Sequence, residues 1–391
     1  MAFFHLKLLI IKNLRLNKLK NIAALVFFFL LISIVNNNGQ DVIYDQPAFQ
    51  FHGQISGWCT GIHTDSGWNK NMGFRYIPQI NYSYQLNDHV VLNGEILLNT
   101  YYNTDFHSDD INLKLYRAIF RYTAPQSEIQ LGLQKINFGP AQLLRTLMWF
   151  DRVDPRDPLK LTDGVYGLRY KYSFLNNSII WLWGLYGNNK PKGYEMISTA
   201  HKAPEWGGRY QFEVPLGEAA ATFHTRKVEA GVLDYRENKL ALDGRWDIGI
   251  GLWFESALQQ SQTTLLPYLW SKMLTVGGDY TFGIGNGIYF LAENQTSMAS
   301  LKTWGYNNER NTTAFMASYP AGTLDNFALQ IYYDWKGRNL YQYYLWQRTY
   351  DNLIINLALF HYPENGTVLF SAGGSAPSAG YGLQLMLIYN Y

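Results

Sequence analysis

The sequence predicts an all-β protein, a single transmembrane antiparallel up-and-down β-barrel of about 18 strands that follows a cleaved signal peptide. Three observations lead to this prediction. The N-terminus is basic and then apolar, apolar and polar residues alternate from residue 50 to the C-terminus, and short connections alternate with long ones. Period-two alternation is typical of strands with unlike faces, and the sorting of loops by length is typical of membrane barrels.

The composition favours a chain that meets both lipid and water. Only 16% of the 391 residues are charged, against roughly 25% in ordinary soluble domains. Aromatic residues reach 16%, yet the mean hydropathy is only −0.19, which is too polar for a bundle of membrane helices. In a barrel, half of each strand faces lipid and half faces water. The single cysteine, Cys59, excludes an intrachain disulfide.

The first 39 residues have the pattern of an export signal. Residues 1–21 carry five Lys or Arg residues and no acidic residue, and Ile22–Val35 is an apolar stretch of 14 residues. A bilayer-spanning helix needs about 20 residues, so a secretory signal is favoured over an N-terminal anchor. Cleavage is expected near Gly39–Gln40, which leaves the barrel at 40–391. Removing five of 32 basic residues leaves 27 against 30 acidic ones, a net charge of −3 that gives no support for nucleic-acid binding.

Eighteen segments have strand character, with 16 strands as the alternative count. The clearest alternation runs from Met72 to Leu86, where Pro78 is expected to occupy a local bulge because it lacks a backbone donor. The predicted strands are 50–62, 71–86, 90–102, 111–123, 128–136, 164–174, 179–187, 208–214, 219–227, 239–246, 251–258, 273–282, 288–296, 312–319, 327–336, 341–350, 353–362 and 379–391.

The connections between these strands differ in length at the two ends of the barrel. Connections after even-numbered strands are short: 87–89, 124–127, 175–178, 215–218 and 351–352. Those after odd-numbered strands are mostly long, as at 137–163, 188–207, 297–311 and 363–378, although 337–340 is short. Tyr and Phe residues cluster beside the short turns, as expected where strands cross a membrane interface.

The last strand and one internal segment resemble a known group of proteins. The C-terminal strand is GYGLQLMLIYNY (Gly380–Tyr391), and the internal segment is INFGPAQLLRTLMWFDRVDPRDPLKLTDGVYGLRY (Ile136–Tyr170). Both resemble Gram-negative outer-membrane porin-like β-barrels of the kind common in Bacteroidota. The resemblance implies an outer-membrane location and recognition by the barrel-assembly machinery through Tyr389 and Tyr391, with Tyr391 where Phe is more usual. Eighteen strands is also similar to the alginate-export barrels.

The longest connection, 137–163, is the candidate functional loop. In general porins the corresponding loop folds inward, so the resemblance implies a constriction. Pro140 suits a first helical turn, and Leu143, Leu144, Leu147 and Met148 would share one face of a short amphipathic helix packed on the barrel wall. The candidate constriction residues are Arg145, Asp151, Arg152, Asp154, Arg156, Asp157, Lys160 and Asp163.

These eight charges have two interpretations. Four basic and four acidic groups can set a transverse field across a pore, and the equal numbers predict only a weak preference between anions and cations. In the alternative, the charges pair with one another and pin a surface loop in which Asp-Pro units make turns.

Polar faces of the strands supply the candidate lining of the lumen. The residues expected to face it are Arg75, Glu95, Arg169, Lys171, Arg209, Glu213, Arg226, Arg245, Asp279 and Glu293. Strand 111–123 has an ambiguous register, so Arg117 and Arg121 are not assigned a face.

The function that follows is a porin-like channel for passive or weakly selective diffusion of small hydrophilic solutes. Two alternatives stay open: a substrate-specific channel for sugars or an anionic polysaccharide, and a non-conducting barrel that acts as a partner in an envelope assembly or secretion complex. Trp181, Trp183 and Trp253 suit sugars, but their faces are expected to meet lipid. No enzyme, cofactor or metal site is expected; a hydrolase using His224 or His107 is the weakest alternative.

Overall fold

The computed structural model describes residues 48–65, 67–104, 109–263, 265–303, 305, 307–363 and 379–391. The predicted signal peptide, most of the loop at 363–378, and His107 lie outside these residues. Within them the structure contains strands and irregular connections but no α-helix, and none of the described segments is a helix long and apolar enough to cross a membrane.

The described residues form eighteen strands, as the alternation predicts. They are β1 (Phe49–Thr64), β2 (Gly67–Asn87), β3 (Val90–Thr104), β4 (Asp109–Thr123), β5 (Ser127–Gln134), β6 (Val165–Ser173), β7 (Ile179–Leu185), β8 (Glu205–Val214), β9 (Gly217–Ala230), β10 (Leu233–Asp247), β11 (Gly251–Ser261), β12 (Trp270–Phe282), β13 (Ile288–Ser300), β14 (Arg310–Ala321), β15 (Asp325–Asp334), β16 (Asn339–Thr349), β17 (Leu353–Tyr362) and β18 (Gly380–Asn390).

Each strand pairs antiparallel with its neighbours in the chain, and the first and last strands close the sheet. β1 pairs with β2 from Phe49↔Tyr82 to Thr64↔Gly67 and with β18 from Gln54↔Asn390 to His63↔Tyr381. Among the strands that the structure describes, none is left with an unpaired edge, which is the condition for a sheet to stand in hydrocarbon. The predicted fold class is therefore confirmed.

The two faces of the barrel differ as the sequence pattern requires. Along β18, Leu383, Leu385, Leu387 and Tyr389 point outward, each between 43% and 46% exposed, while Met386 and Ile388 are buried on the inner face. Large apolar side chains cover the outside of most other strands in the same way. An apolar outer band is the surface that lipid favours.

Three local expectations are wrong. Connections after odd-numbered strands are expected to be mostly long, but β1–β2 and β9–β10 are joined by tight turns, because these strands extend several residues beyond their predicted ends. β2 keeps one register with β3 on both sides of Pro78, and its only register shift there lies between Gln85 and Asn87. The helix expected after Pro140 does not form, for reasons that its surroundings explain below.

Candidate pore constriction

The connection between β5 and β6 lies inside the barrel, where two carboxylates of the wall hold its backbone. Glu255 of β11 is fully buried and accepts hydrogen bonds from the backbone N–H groups of Ala141 (2.9 Å) and Leu147 (3.0 Å). The connection starts at β5 and reaches β11, so it crosses much of the lumen.

Glu293 of β13 provides the second attachment. Its carboxylate accepts hydrogen bonds from the backbone N–H groups of Gln142 (2.7 Å), Leu143 (2.9 Å) and Leu144 (2.5 Å) and from the indole N–H of Trp253 (3.1 Å). Glu293 is only 2% exposed. Four donors around one buried carboxylate satisfy its charge without a basic partner.

These bonds, together with the apolar packing, explain why the predicted helix is absent. Leu143 and Leu144 pack with inner-wall residues of β11–β17, among them Tyr332 and Phe360, whereas Leu147 belongs to a second cluster around Ile136 and Trp183. The apolar side chains therefore face opposite sides of the lumen. The backbone N–H groups bond to Glu255 and Glu293 rather than to carbonyls one helical turn earlier.

Most of the eight predicted constriction charges bond within the loop. Arg145 pairs with Asp151 at 2.6 Å, and Arg156 pairs with Asp154 at 2.7 Å. Asp157 accepts hydrogen bonds from the backbone N–H groups of Leu159 and Leu161. This pattern agrees with the interpretation in which the charges pin the loop, here within the barrel rather than on its surface.

The other three charges reach different surroundings. Arg152 donates to the carbonyl oxygens of Gly193 (2.5 Å) and Glu195 (3.1 Å) in the next long connection, and Asp163 pairs with Lys114 of β4 at 2.5 Å. Lys160 is exposed.

A second connection, between β7 and β8, also folds against the inner wall, which the sequence analysis did not predict. Lys192 bonds to Glu195 (3.1 Å) and to Glu205 of β8 (3.0 Å), and Glu195 lies 3.2 Å from Arg226 of β9. Tyr194 donates to the carbonyl of Arg145 at 2.7 Å and so ties this connection to the first. Polar residues spread over a long loop give no sequence signal for such a network.

The residues predicted to line the lumen are on the inner face by strand alternation, and several meet partners there. Arg209 makes a two-bond pair with Asp243 (2.6 and 2.7 Å), and Arg226 pairs with Glu237 at 2.7 Å. The remaining contacts are Arg169 to Glu128 (2.9 Å), Arg245 to Asp279 (3.8 Å), Asn177 to Glu213 (2.8 Å), Arg75 over Trp58, Lys171 over Trp181, and Glu95 beside Asn81 and Ile119 in the sheet.

The expectation that the three tryptophans face lipid is wrong. Trp183 and Trp253 are each 3% exposed and pack inside the barrel against the β5–β6 connection. Trp181 lies under Arg169, at 5.2 Å from guanidinium carbon to ring centre. The faces of β7 and β11 are hard to assign from sequence because apolar residues occur on both sides of each strand.

The ambiguous register of the fourth predicted strand is a real β-bulge. The β3–β4 ladder shifts between Leu97 and Leu98, so Tyr116 is an extra residue and Tyr116 and Arg117 are both buried. Arg117 donates to the carbonyls of Tyr116 and Thr162 and therefore faces the lumen. A bulge breaks period-two alternation, which is why the pattern could not place these residues.

A cavity of about 340 Å³ lies beside the β5–β6 connection. The connection contributes Phe138, Gly139, Pro140 and Gln142 to its lining, and β7–β10 contribute Trp181, Arg209, Gln211, Glu218, Ala219, Asp243, Gly244 and Arg245. Rings and charges of both signs thus share one water-accessible space in the barrel.

Of the two histidines weighed for hydrolase chemistry, the structure describes only His224. His224 is fully buried between the indole of Trp183 (3.2 Å) and Glu205 (3.2 Å), so no hydroxyl nucleophile shares its hydrogen bonds. Among the described residues, no group of three or more His, Cys, Asp and Glu side chains could hold a metal ion.

Comparison with solved structures identifies the fold. Pseudomonas aeruginosa OccK2 (OpdF) in complex with glucuronate matches with a TM-score of 0.62 and 11% identity, over 90% of this chain and 99% of that one. Acinetobacter baumannii OccAB4 matches with a TM-score of 0.58 and 9% identity, over 89% and 99%. Salmonella typhi OmpF in complex with daunomycin matches with a TM-score of 0.53 and 12% identity, over 88% and 97%.

No protein-family model matches the sequence, and no curated protein matches it. The structural matches therefore show the fold, which is that of the outer-membrane porins.

Proposed function

We propose that this protein is an outer-membrane channel of a Gram-negative bacterium, through which small hydrophilic solutes diffuse along a lumen narrowed by the β5–β6 connection. The observation that carries the proposal is the attachment of this connection to Glu255 and Glu293 inside a closed barrel. Solutes entering the barrel must pass a segment held across it. The apolar outer band supports a position in lipid.

The cellular context of the proposal is supported by the sequence. The basic and apolar N-terminus supports export, and the C-terminal strand ending in Tyr389 and Tyr391 supports delivery by the barrel-assembly machinery. The resemblance of Ile136–Tyr170 to barrels of Bacteroidota supports that origin.

Conductance in planar bilayers tests the proposal. Purified, folded protein is expected to open in discrete ion-conducting steps. A folded protein that inserts into bilayers but conducts nothing would contradict it and would favour the non-conducting barrel. Two apolar clusters, one around Tyr332 and one around Trp183, fill part of the lumen. The conductance measurement therefore decides whether an open path for ions remains beside them.

A second candidate, a channel with preference for anionic solutes, is favoured by one sector of the inner wall. Strands β2–β6 carry Arg75, Arg117, Arg121, Arg169 and Lys171, whereas Glu128 pairs with only Arg169. Among the described residues, no carboxylate lies within ion-pair distance of Arg75, Arg121 or Lys171. The basic residues outnumber the nearby carboxylates, which include Glu95 near Arg117 and Asp157 near Arg75. An excess of positive charge in a confined space attracts anions. The glucuronate complex of OccK2 is a solved example of an anion in a barrel of this fold.

Reversal potentials across a KCl gradient distinguish the two candidates. If the channel selects anions, the wild type is expected to show a strong anion preference, and the double variant Arg75→Ala/Arg121→Ala is expected to show a weaker one. Arg245→Ala is the matched control, because Arg245 lies on the opposite wall near Asp279. Equal reversal potentials for wild type and double variant would leave only the weakly selective channel.

A further inference from the structure

Five consecutive hairpins at the short-turn end of the barrel carry an exposed aliphatic residue at their tips. The turns between β6 and β15 present Leu175 (93% exposed), Leu216 (70%), Ile248 (55%), Ile284 (62%) and Leu324 (36%). Turn tips are ordinarily occupied by Gly, Asn, Asp, Ser and Pro. A row of large apolar residues at these positions therefore needs a physical reason.

The other three turns at the same end of the barrel act as an internal comparison. The β2–β3 turn exposes Asn87, Asp88 and His89, and the β16–β17 turn exposes Asp351 and Asn352 beside Tyr350, which is 43% exposed. The β4–β5 turn contains Ala124, Pro125 and Gln126. At this end of the barrel, the exposed aliphatic tips are thus confined to one continuous sector of the rim.

The backbone at Leu216 shows that the apolar residue is present despite local strain. Leu216 has φ of +61°, a left-handed conformation that is unfavourable for an ordinary L-residue and that Gly or Asn adopts easily. In a turn that faces water, Gly or Asn would be favoured at this position, because each adopts this backbone conformation and neither exposes a large apolar side chain.

Strand length supplies the second argument. β7 has only seven residues and β6 has nine. At about 3.3 Å per residue and a tilt near 40°, β7 covers only about 18 Å of membrane thickness, less than the apolar band of roughly 25 Å on such barrels. Phe174 and Leu175 continue the outward apolar surface of Tyr170 and Tyr172 beyond the end of β6. The same continuity holds from Leu252 to Ile250 and Ile248, and from Phe282 to Ile284.

We propose that the turn tips between β6 and β15 insert into the lipid leaflet at the short-turn end, at the boundary between headgroups and acyl chains. The occupant of this rim surface is phospholipid, because the tips extend the lipid-facing band without a polar break. The polar tips of the β2–β3 and β16–β17 turns remain in water. The barrel therefore sits deeper in the membrane along one sector of its rim.

Site-specific fluorescence tests this inference, which rests on the proposed membrane location. In a Cys59→Ser background, the variants Leu175→Cys, Ile248→Cys and Ile284→Cys are labelled with the polarity-sensitive fluorophore NBD and reconstituted into phosphatidylcholine vesicles. The matched polar-tip variants are Asp88→Cys and Asp351→Cys, and Leu182→Cys reports the lipid-facing middle of β7. Circular dichroism confirms that each labelled barrel is folded.

The three aliphatic tips are expected to give emission shifted to shorter wavelength than the two polar tips, and quenching by a doxyl group placed shallow on the acyl chain. Leu182→Cys is expected to be quenched more by a deep doxyl group. Tip emission equal to that of Asp88→Cys and Asp351→Cys, with Leu182→Cys still in lipid, would overturn this inference alone. Emission typical of water at Leu182→Cys as well would overturn the membrane location itself.

Discussion

At the scale of single residues, two carboxylates shape the inside of this barrel. Glu255 and Glu293 together accept hydrogen bonds from five backbone N–H groups of the β5–β6 connection. Hydrogen bonds to charged groups each contribute about 1.5–3 kcal/mol. A buried segment without a helix must bond its N–H groups elsewhere, and these two side chains provide that. Removing one carboxylate leaves several donors unpaired at once.

Glu293→Gln is expected to loosen the connection, because the amide replaces one acceptor oxygen with a donor and removes the charge. The substitution is expected to weaken the binding of the connection to the barrel wall by about 1–3 kcal/mol. Single-channel recordings check this through larger or noisier current steps. Glu218→Gln is the matched control, since Glu218 is exposed and accepts a hydrogen bond from the Gln211 side chain of the wall rather than from the connection. Identical recordings for the two variants would contradict the role of Glu293.

Asp157 gives the constriction a pH dependence. Burial raises the pKa of Asp157 above its ordinary value of 3.8, although backbone N–H groups and the Arg75 charge oppose the change. Because the pKa is raised, a falling pH neutralises Asp157 before ordinary exposed carboxylates. The loss of one negative charge beside Arg75 is expected to increase anion preference in reversal-potential measurements. Asp157→Asn is expected to show the increased preference at neutral pH and no step at the raised pKa.

At the scale of elements, connections rather than strands distinguish this barrel. The alternation of apolar and polar residues predicts the strands, but it does not predict that the β5–β6 and β7–β8 connections lie inside the barrel. Their contact with each other, through Arg152 to Gly193 and Tyr194 to Arg145, joins two long loops into one packed unit. The bulge at Tyr116 similarly redirects Arg117 toward Thr162 of the first connection.

Replacing residues 140–150 with a short Gly-Ser linker is expected to raise single-channel conductance severalfold. This segment fills the lumen at the level of Glu255 and Glu293, while the ladders of the barrel do not depend on it. The control shortens the β11–β12 connection at 262–269 by a similar proportion. Unchanged conductance with a folded barrel would show that 140–150 does not limit the passage of ions.

At the scale of the whole molecule, closure depends on a seam between the first and last strands, β1 and β18. Gly53 and Tyr391 exchange backbone hydrogen bonds of 3.1 Å each way, and the Tyr391 hydroxyl lies 2.7 Å from that of Tyr76. A side chain at Gly53 would collide with the Tyr391 ring, so Gly53 provides the space for the terminal aromatic residue. Tyr391 therefore has a packing role in the closed barrel, in addition to the recognition role proposed from the sequence.

Tyr391→Ala is expected to reduce the yield of folded barrel by removing the ring over Gly53 and the bond to Tyr76. Tyr391→Phe keeps the ring and is expected to fold nearly as well as wild type. The shift between folded and heated protein in gel electrophoresis measures the folded fraction. Tyr381→Ala, at the opposite end of β18 and 66% exposed, is the control; an equal loss in both Ala variants would argue against a special role for the seam.

The sequence by itself determined the strand number and the barrel class. It predicted ten inward-facing charges but missed others on the inner wall, among them Glu205, Asp243 and Glu255. The alternation of apolar and polar residues has a period of two, which indicates strands. In lipid such strands must form a closed sheet, because an open edge would leave backbone groups without hydrogen bonds. Only the tertiary structure decided where the long connections lie, which tryptophans face inward, and how the β5–β6 segment bonds its backbone. Those features depend on pairs far apart in the chain, such as Leu144 with Glu293, whose proximity exists only once the barrel has closed.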